Sequence, residues 1–221
     1  MHTACLSTRT RSLAWPLAAT LAWSSAFATL NPAQARAEAP PAEMVKSIVD
    51  AVGGEAKLLR LFRFKEMLAL GSDPAKAGSA RTSVVQPPEH WWLGKRDRVT
   101  QDKEPAVFLV YGWTLGALVD PKSTLEALPE KEVEGKAATG IRIGGTVTPA
   151  MDLYFDKGTK RLAAIEWRAD RHVFSDWREV DGCSYPSKCV GYKVKDGKRW
   201  YHTEIVEIER LSEVPPENKS P

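Results

Sequence analysis

Cysteine, blocks of like charge and recognisable catalytic signatures are all scarce in this chain of 221 residues. There are three cysteines, and no Lys/Arg block accompanies the formal net charge of +3. A charge that small and that dispersed is no nucleic-acid signal. With 43% hydrophobic and 27% charged residues, the composition is that of an ordinary globular chain, which excludes a disordered polymer and a polytopic membrane protein. Also missing are a Gly-x-Ser-x-Gly nucleophile elbow, a phosphate-cradling glycine loop and a His-Glu-x-x-His zinc site. No internal repeat or low-complexity tract occurs.

Acidic residues are missing altogether from the first 37 positions. This stretch carries Arg9 and Arg11, then an apolar tract from Ser12 to Leu30, then Ala35-Arg36-Ala37, with small residues at the two positions a signal peptidase reads. The three-part pattern predicts a secretory leader, residues 1–37, cleaved after Ala37. Pro16, Thr20, Ser24, Ser25 and Thr29 interrupt the tract, which argues against a retained membrane anchor and leaves no integral membrane segment after cleavage. Cys5 precedes the apolar core and so is no lipid-attachment cysteine.

Cleavage removes Arg9, Arg11 and Arg36 and no acid, leaving 28 bases against 28 acids in residues 38–221. A neutral chain has no net long-range field to draw it to phosphate backbones or anionic headgroups. Its two remaining cysteines, Cys183 and Cys189, are candidates for a disulfide in an oxidising compartment. In one extended strand their Cα atoms would lie about 20 Å apart, whereas a bridge needs less than about 7 Å. A turn at Pro186 would bring them together.

Met44, Val45, Ile48, Val49 and Val52 fall at helical spacing and Gly53-Gly54 ends the run, which predicts a short amphipathic N-terminal helix. From Leu61 onward the pattern is mostly strands. They are expected near Leu61–Leu70, Ala80–Gln86, Trp91–Thr100, Ala106–Tyr111, Thr114–Val119, Lys131–Glu134, Ala138–Ile143, Met151–Phe155, Leu162–Arg168, His172–Val180, Lys188–Lys195 and Trp200–Leu211. Gly112-Trp113 reads as a tight turn, and Lys122–Leu128 as a helical turn crossing the sheet. Short connections such as Asp181-Gly182 and Asp196-Gly197 join strands antiparallel. The predicted fold is therefore mainly β with some helix (α+β): one antiparallel curved sheet forming a half-closed barrel, with an N-terminal helix and a covering helical segment. One domain, 38–211, would be followed by a short, polar, mobile tail, 212–221.

No catalytic, metal or cofactor site is legible. His90, His172 and His202 lack the spacing of a metal cluster, and a histidine found beside a carboxylate in one cleft would be needed to mark catalysis. Asp152 and Asp156 share a strand face, but Asp156 precedes Lys157-Gly158 and reads as a turn former. The aromatic residues are more informative. They suit a large core, or else a concave face that receives a hydrophobic ligand. Phe64, Trp92, Phe108, Phe155, Trp167 and Tyr192 are the candidate cavity-lining residues.

The run MDLYFDKGTKRLAAIEWRAD, followed by FSDWREVDGCSYPSKCV and KVKDGK, resembles the C-terminal half of LolA-like, outer-membrane lipoprotein-sorting proteins. Upstream, AVGGEAKLLRL and LPEKEVEGKAATGIRI look like the helix entry and central hairpin of the same group. The resemblance implies a periplasmic location, an unclosed barrel lidded by helices and an apolar cavity for acyl chains. No gating arginine can be carried over, and Cys183 and Cys189 lie outside the pattern. The expected function is to bind a lipid or acylated protein in a carrier or sorting role. The alternative is a non-enzymatic envelope scaffold whose interior is filled by its own aromatics. A continuous apolar cavity above about 300 Å³ would favour the carrier, and a filled interior the scaffold.

Overall fold

A computed structural model describes residues 38–99 and 106–219, and the expected leader lies outside the described residues. Eleven antiparallel strands form one sheet: β1 (Phe62–Leu70), β2 (Ser79–Gln86), β3 (His90–Leu93), β4 (Arg96–Asp97), β5 (Thr124–Val133), β6 (Lys136–Gly144), β7 (Met151–Asp156), β8 (Leu162–Trp167), β9 (Asp170–Val180), β10 (Cys183–Lys193) and β11 (Arg199–Arg210). Their spatial order is β4-β3-β2-β1-β11-β10-β9-β8-β7-β6-β5. Two hairpin meanders, β1–β4 and β5–β11, are thus joined where the first strand pairs with the last. Strands β4 and β5 remain as edges, so the sheet is a half-barrel and not a closed one.

This order dictates where the helices lie. The chain leaves the sheet at one edge and re-enters at the other, so the connection between β4 and β5 has to cross from edge to edge. It does so through α2 (Ala106–Trp113) and α3 (Gly116–Val119), which pack on the sheet's concave face. Gly112 sets how close α2 comes: a Cβ there would sit 2.7 Å from Met151 Sδ and 3.0 Å from Ile165 Cδ1. Beneath α2 and α3, Ile141, Ile143, Met151, Leu153, Phe155 and Ile165 are fully buried. The N-terminal helix α1 (Ala42–Asp50) buries Ile48 and Val49. Its Gly-Gly exit has positive φ at both residues, and a Cβ on Gly53 would lie 1.9 Å from the carbonyl oxygen of Gly182. Only glycine tolerates both the conformation and the approach.

Several expected elements take another form. Ala106–Tyr111 and Thr114–Val119 are not strands around a turn but the two covering helices. The stretch is apolar on every side, and a short apolar run reads alike as a buried strand or as a buried helix. Lys122–Leu128, expected to be the covering turn, instead opens edge strand β5. Trp91–Thr100 is divided into β3 and β4 by a turn at Gly94, whose φ is +59°. The strand expected from Lys188 begins five residues earlier, at Cys183. The C-terminal segment carries a 3-10 turn, Pro216–Asn218, and the buried Asn218 donates from Nδ2 to the Gly94 carbonyl at 2.6 Å.

The cysteine pairing is corrected as well. Cys183 and Cys189 are both buried and both free. They belong to one continuous strand, and Pro186 pairs with Trp177 inside it instead of turning the chain. Six residues of extended backbone keep the sulfurs far beyond bonding reach.

Candidate functional site

A cavity of about 250 Å³ lies between α2 and the concave face of β1, β2, β9, β10 and β11. The walls arise from strand alternation. On β1 every second residue, Phe64, Glu66, Leu68 and Leu70, faces inward, as do Tyr201, Thr203 and Ile205 on β11. Across the top, α2 contributes Ala106, Leu109, Val110 and Trp113. Trp91 meets Phe64 edge to face, with ring centroids 6.0 Å apart. The apolar surface is continuous but not complete.

Polar residues interrupt it, among them two groupings that hydrogen-bond across the wall. Glu66, only 4% exposed, accepts from Arg81 Nε at 2.5 Å and from the Thr203 hydroxyl. A buried carboxylate needs such partners, since an unpaired charge in an apolar wall is strongly disfavoured. Farther along, the Tyr201 hydroxyl lies 2.7 Å from His172 Nδ1 and 3.2 Å from Cys189 Sγ. Burial lowers the His172 pKa to about 4 and pushes the Cys189 thiol up to about 12. Burial also raises the Tyr201 phenol well above its ordinary value, and the neighbouring Cys189 raises it further. At neutral pH all three are uncharged. The thiol is therefore not an activated nucleophile, because the reactive form is the thiolate.

Of the six residues expected at the cavity wall, Phe64 and Trp167 line this space. Trp92, Phe108, Phe155 and Tyr192 do not. Trp92 follows the inward Trp91, so alternation sends it to the other face, where it stacks on His90 at 4.6 Å. Tyr192 follows the inward Gly191 for the same reason. Phe155 is fully buried in the core beneath the helices, and Phe108 on α2 rests against Trp167 with centroids 6.1 Å apart.

Asp152, Asp156 and His90 have structural partners, whereas His202 leaves Nδ1 buried without a hydrogen bond. Arg142 grips Asp152 through two bonds of 2.7 and 2.9 Å, and Asp156 caps its turn by accepting from the Thr159 and Gly158 amides. His90 does meet a carboxylate, Asp97, at 2.5 Å, but this pair ties β3 to β4 and lines no part of the cavity. Among the described residues, no group of three or more His, Cys, Asp and Glu could hold a metal. No helix among them is long and apolar enough to cross a membrane.

No family model matches the chain, and no curated protein matches it. Solved structures do. A putative outer membrane lipoprotein-sorting protein domain from Vibrio parahaemolyticus is similar over 79% of this chain and 93% of its own, with 12% identity and a TM-score of 0.49. A LolA superfamily protein from Nitrosomonas europaea is similar over 80% and 96%, with 10% identity and a TM-score of 0.48. A DUF1329 family protein from Desulfovibrio piger is similar over 78% and 92%, with 9% identity and a TM-score of 0.48.

The residues that sequence reasoning missed are mainly Glu66, Trp91, Trp113, Phe174, Cys189 and Tyr201. Glu66 had a legible signal. It sits at an inward position of the alternation Phe62, Phe64, Glu66, Leu68, Leu70, where an acid has no place unless it is partnered.

Proposed function

We propose that this protein binds one slender apolar chain, such as an acyl chain of a lipid or an acylated protein, in the cavity beneath α2, and that it serves as a carrier in an exported, periplasmic compartment. The observation that supports this is the cavity itself. Despite its many aromatics, the half-barrel leaves about 250 Å³ unfilled between Phe64, Trp91, Trp113, Trp167, Phe174 and Ile205.

Size decides what fits. The volume falls short of the roughly 300 Å³ at which pockets begin to accommodate drug-sized molecules, so the reading is confined to a single narrow chain. Each methylene withdrawn from water contributes about 0.8 kcal/mol, and a chain of several therefore outweighs any single polar contact in the wall. The shortfall also keeps the scaffold reading open, in which the space is a packing residue and a protein partner docks elsewhere.

Titration with a fluorescent long-chain fatty acid separates the two. Saturable binding that Ile205→Trp weakens more than tenfold supports the carrier, because the indole fills the space from β11. Absence of binding, or binding indifferent to Ile205→Trp, sinks it. Native mass spectrometry of the protein from its own envelope adds the identity of any chain it holds.

A further inference from the structure

The neutrality of residues 38–221 conceals a separation of charge. Three connections meet at one end of the sheet: the β1–β2 loop, the Arg168-Ala169 turn and the β10–β11 hairpin. Backbone bonds tie them together, from Gly71 N to Trp200 O at 2.7 Å and from Val194 N to Ala169 O at 3.0 Å. Residues 71–78, 168–170 and 193–199 carry six bases, Lys76, Arg168, Lys193, Lys195, Lys198 and Arg199, against three acids, Asp73, Asp170 and Asp196. The rest of the chain from Glu38 is left with 22 bases against 25 acids. One end is thus positive and the remainder negative.

The same end is where apolar surface emerges. Among the described residues three large hydrophobic side chains are well exposed, and two of them, Leu70 at 56% and Val194 at 60%, sit here. Leu70 and the exposed Arg168 also line the cavity, so the cavity reaches the surface at this end. Some of the charge is internally matched: Lys193 pairs with Asp170 at 2.7 Å, and Lys198 lies 3.9 Å from Asp196. Val194 is flanked by Lys193 and Lys195 on an exposed hairpin turn, which presents an apolar side chain between cationic neighbours.

We propose that this end docks on an anionic lipid bilayer, with Leu70 and Val194 entering the headgroup boundary and the surrounding bases meeting lipid phosphates. Apolar tips ringed by Lys and Arg have that complementarity, whereas an acidic protein surface would not explain the exposed Leu70 and Val194 together. The orientation turns the cavity mouth toward the membrane, but the docking itself does not depend on what the cavity holds.

The test is co-sedimentation of the chain from Glu38 onward with vesicles of phosphatidylcholine, alone or mixed with phosphatidylglycerol. Binding to the mixed vesicles that salt weakens is expected, with little binding to the zwitterionic ones. Each base near an anionic surface contributes on the order of fivefold, so Lys195→Glu with Lys198→Glu lowers binding by about 25-fold or more. Val194→Ser lowers it several-fold while the unfolding midpoint stays unchanged, because the position is exposed. Equal binding to both vesicle types, no binding to either, or binding untouched by the charge reversal overturns the proposal. Ile205→Trp keeps vesicle binding, so failure of the acyl-chain reading and failure of this one are distinguishable.

Discussion

Tyr201 on β11 bonds His172 on β9, two strands away, by lying over Gly191 of the strand between them. Gly191 pairs with both residues, and a Cβ added to it would stand 1.9 Å from Tyr201 Cε1. The glycine is there for the ring that crosses it, not for its backbone freedom. Gly191→Ala therefore forces the phenol aside and parts it from His172 and Cys189. Overpacking of this kind costs about 1–3 kcal/mol. Urea unfolding is expected to show a lower midpoint at unchanged slope, and an unshifted midpoint would refute the packing argument.

The same histidine makes stability depend on pH. Burial holds its folded pKa at about 4, against an ordinary value of 6.5. Because the folded pKa is lowered, the unfolded chain takes up the proton first as pH falls. The His172 contribution is thus intact above about pH 6.5, is lost progressively down to about 4, and levels off below that. The full loss is on the order of 3 kcal/mol. Unfolding midpoints measured across this window are expected to fall more steeply for the native protein than for His172→Phe. Parallel profiles would show that the histidine is not buried as described.

How much of this could be read from the sequence depended on whether alternation alone settled the outcome. It did so for β1 and β7, where inward residues recur every second position and turns bound the run. It failed at Ala106–Val119, where almost every residue is apolar and only the crossing from β4 to β5 makes a helix necessary. The cavity was half legible for a related reason. Phe64 and Trp167 could be chosen as inward aromatics, but choosing Trp91 over Trp92 needs the register that pairs Trp91 with Val85. Adjacent tryptophans point to opposite faces, and composition cannot tell which is which.

The cysteines offer a chemical check on strand β10. Both thiols are buried, and burial raises the pKa of Cys183 as well as that of Cys189. Native protein at mildly alkaline pH is expected to leave Cys189 unmodified by a thiol reagent, and denatured protein to react at both positions. Reduction is expected to leave the mass of residues 38–221 unchanged. A gain of two hydrogens would mean that the strand bends at Pro186 after all.

If the cavity takes an apolar chain as proposed, Glu66 sets stability against affinity for it. Its carboxylate is the buried charge in an otherwise apolar stretch of wall, held by Arg81 and Thr203. Glu66→Leu leaves Arg81 without its partner, yet Arg81 is 35% exposed and can turn toward water, so the cost is about 1–2 kcal/mol instead of the larger penalty of a fully buried orphan. At the same time the variant removes a charge beside the path of an apolar chain. A lower unfolding midpoint together with several-fold tighter binding of the fatty-acid probe is expected. If binding weakens in proportion to stability, the carboxylate is a ligand contact and the bound molecule carries a polar group at that depth.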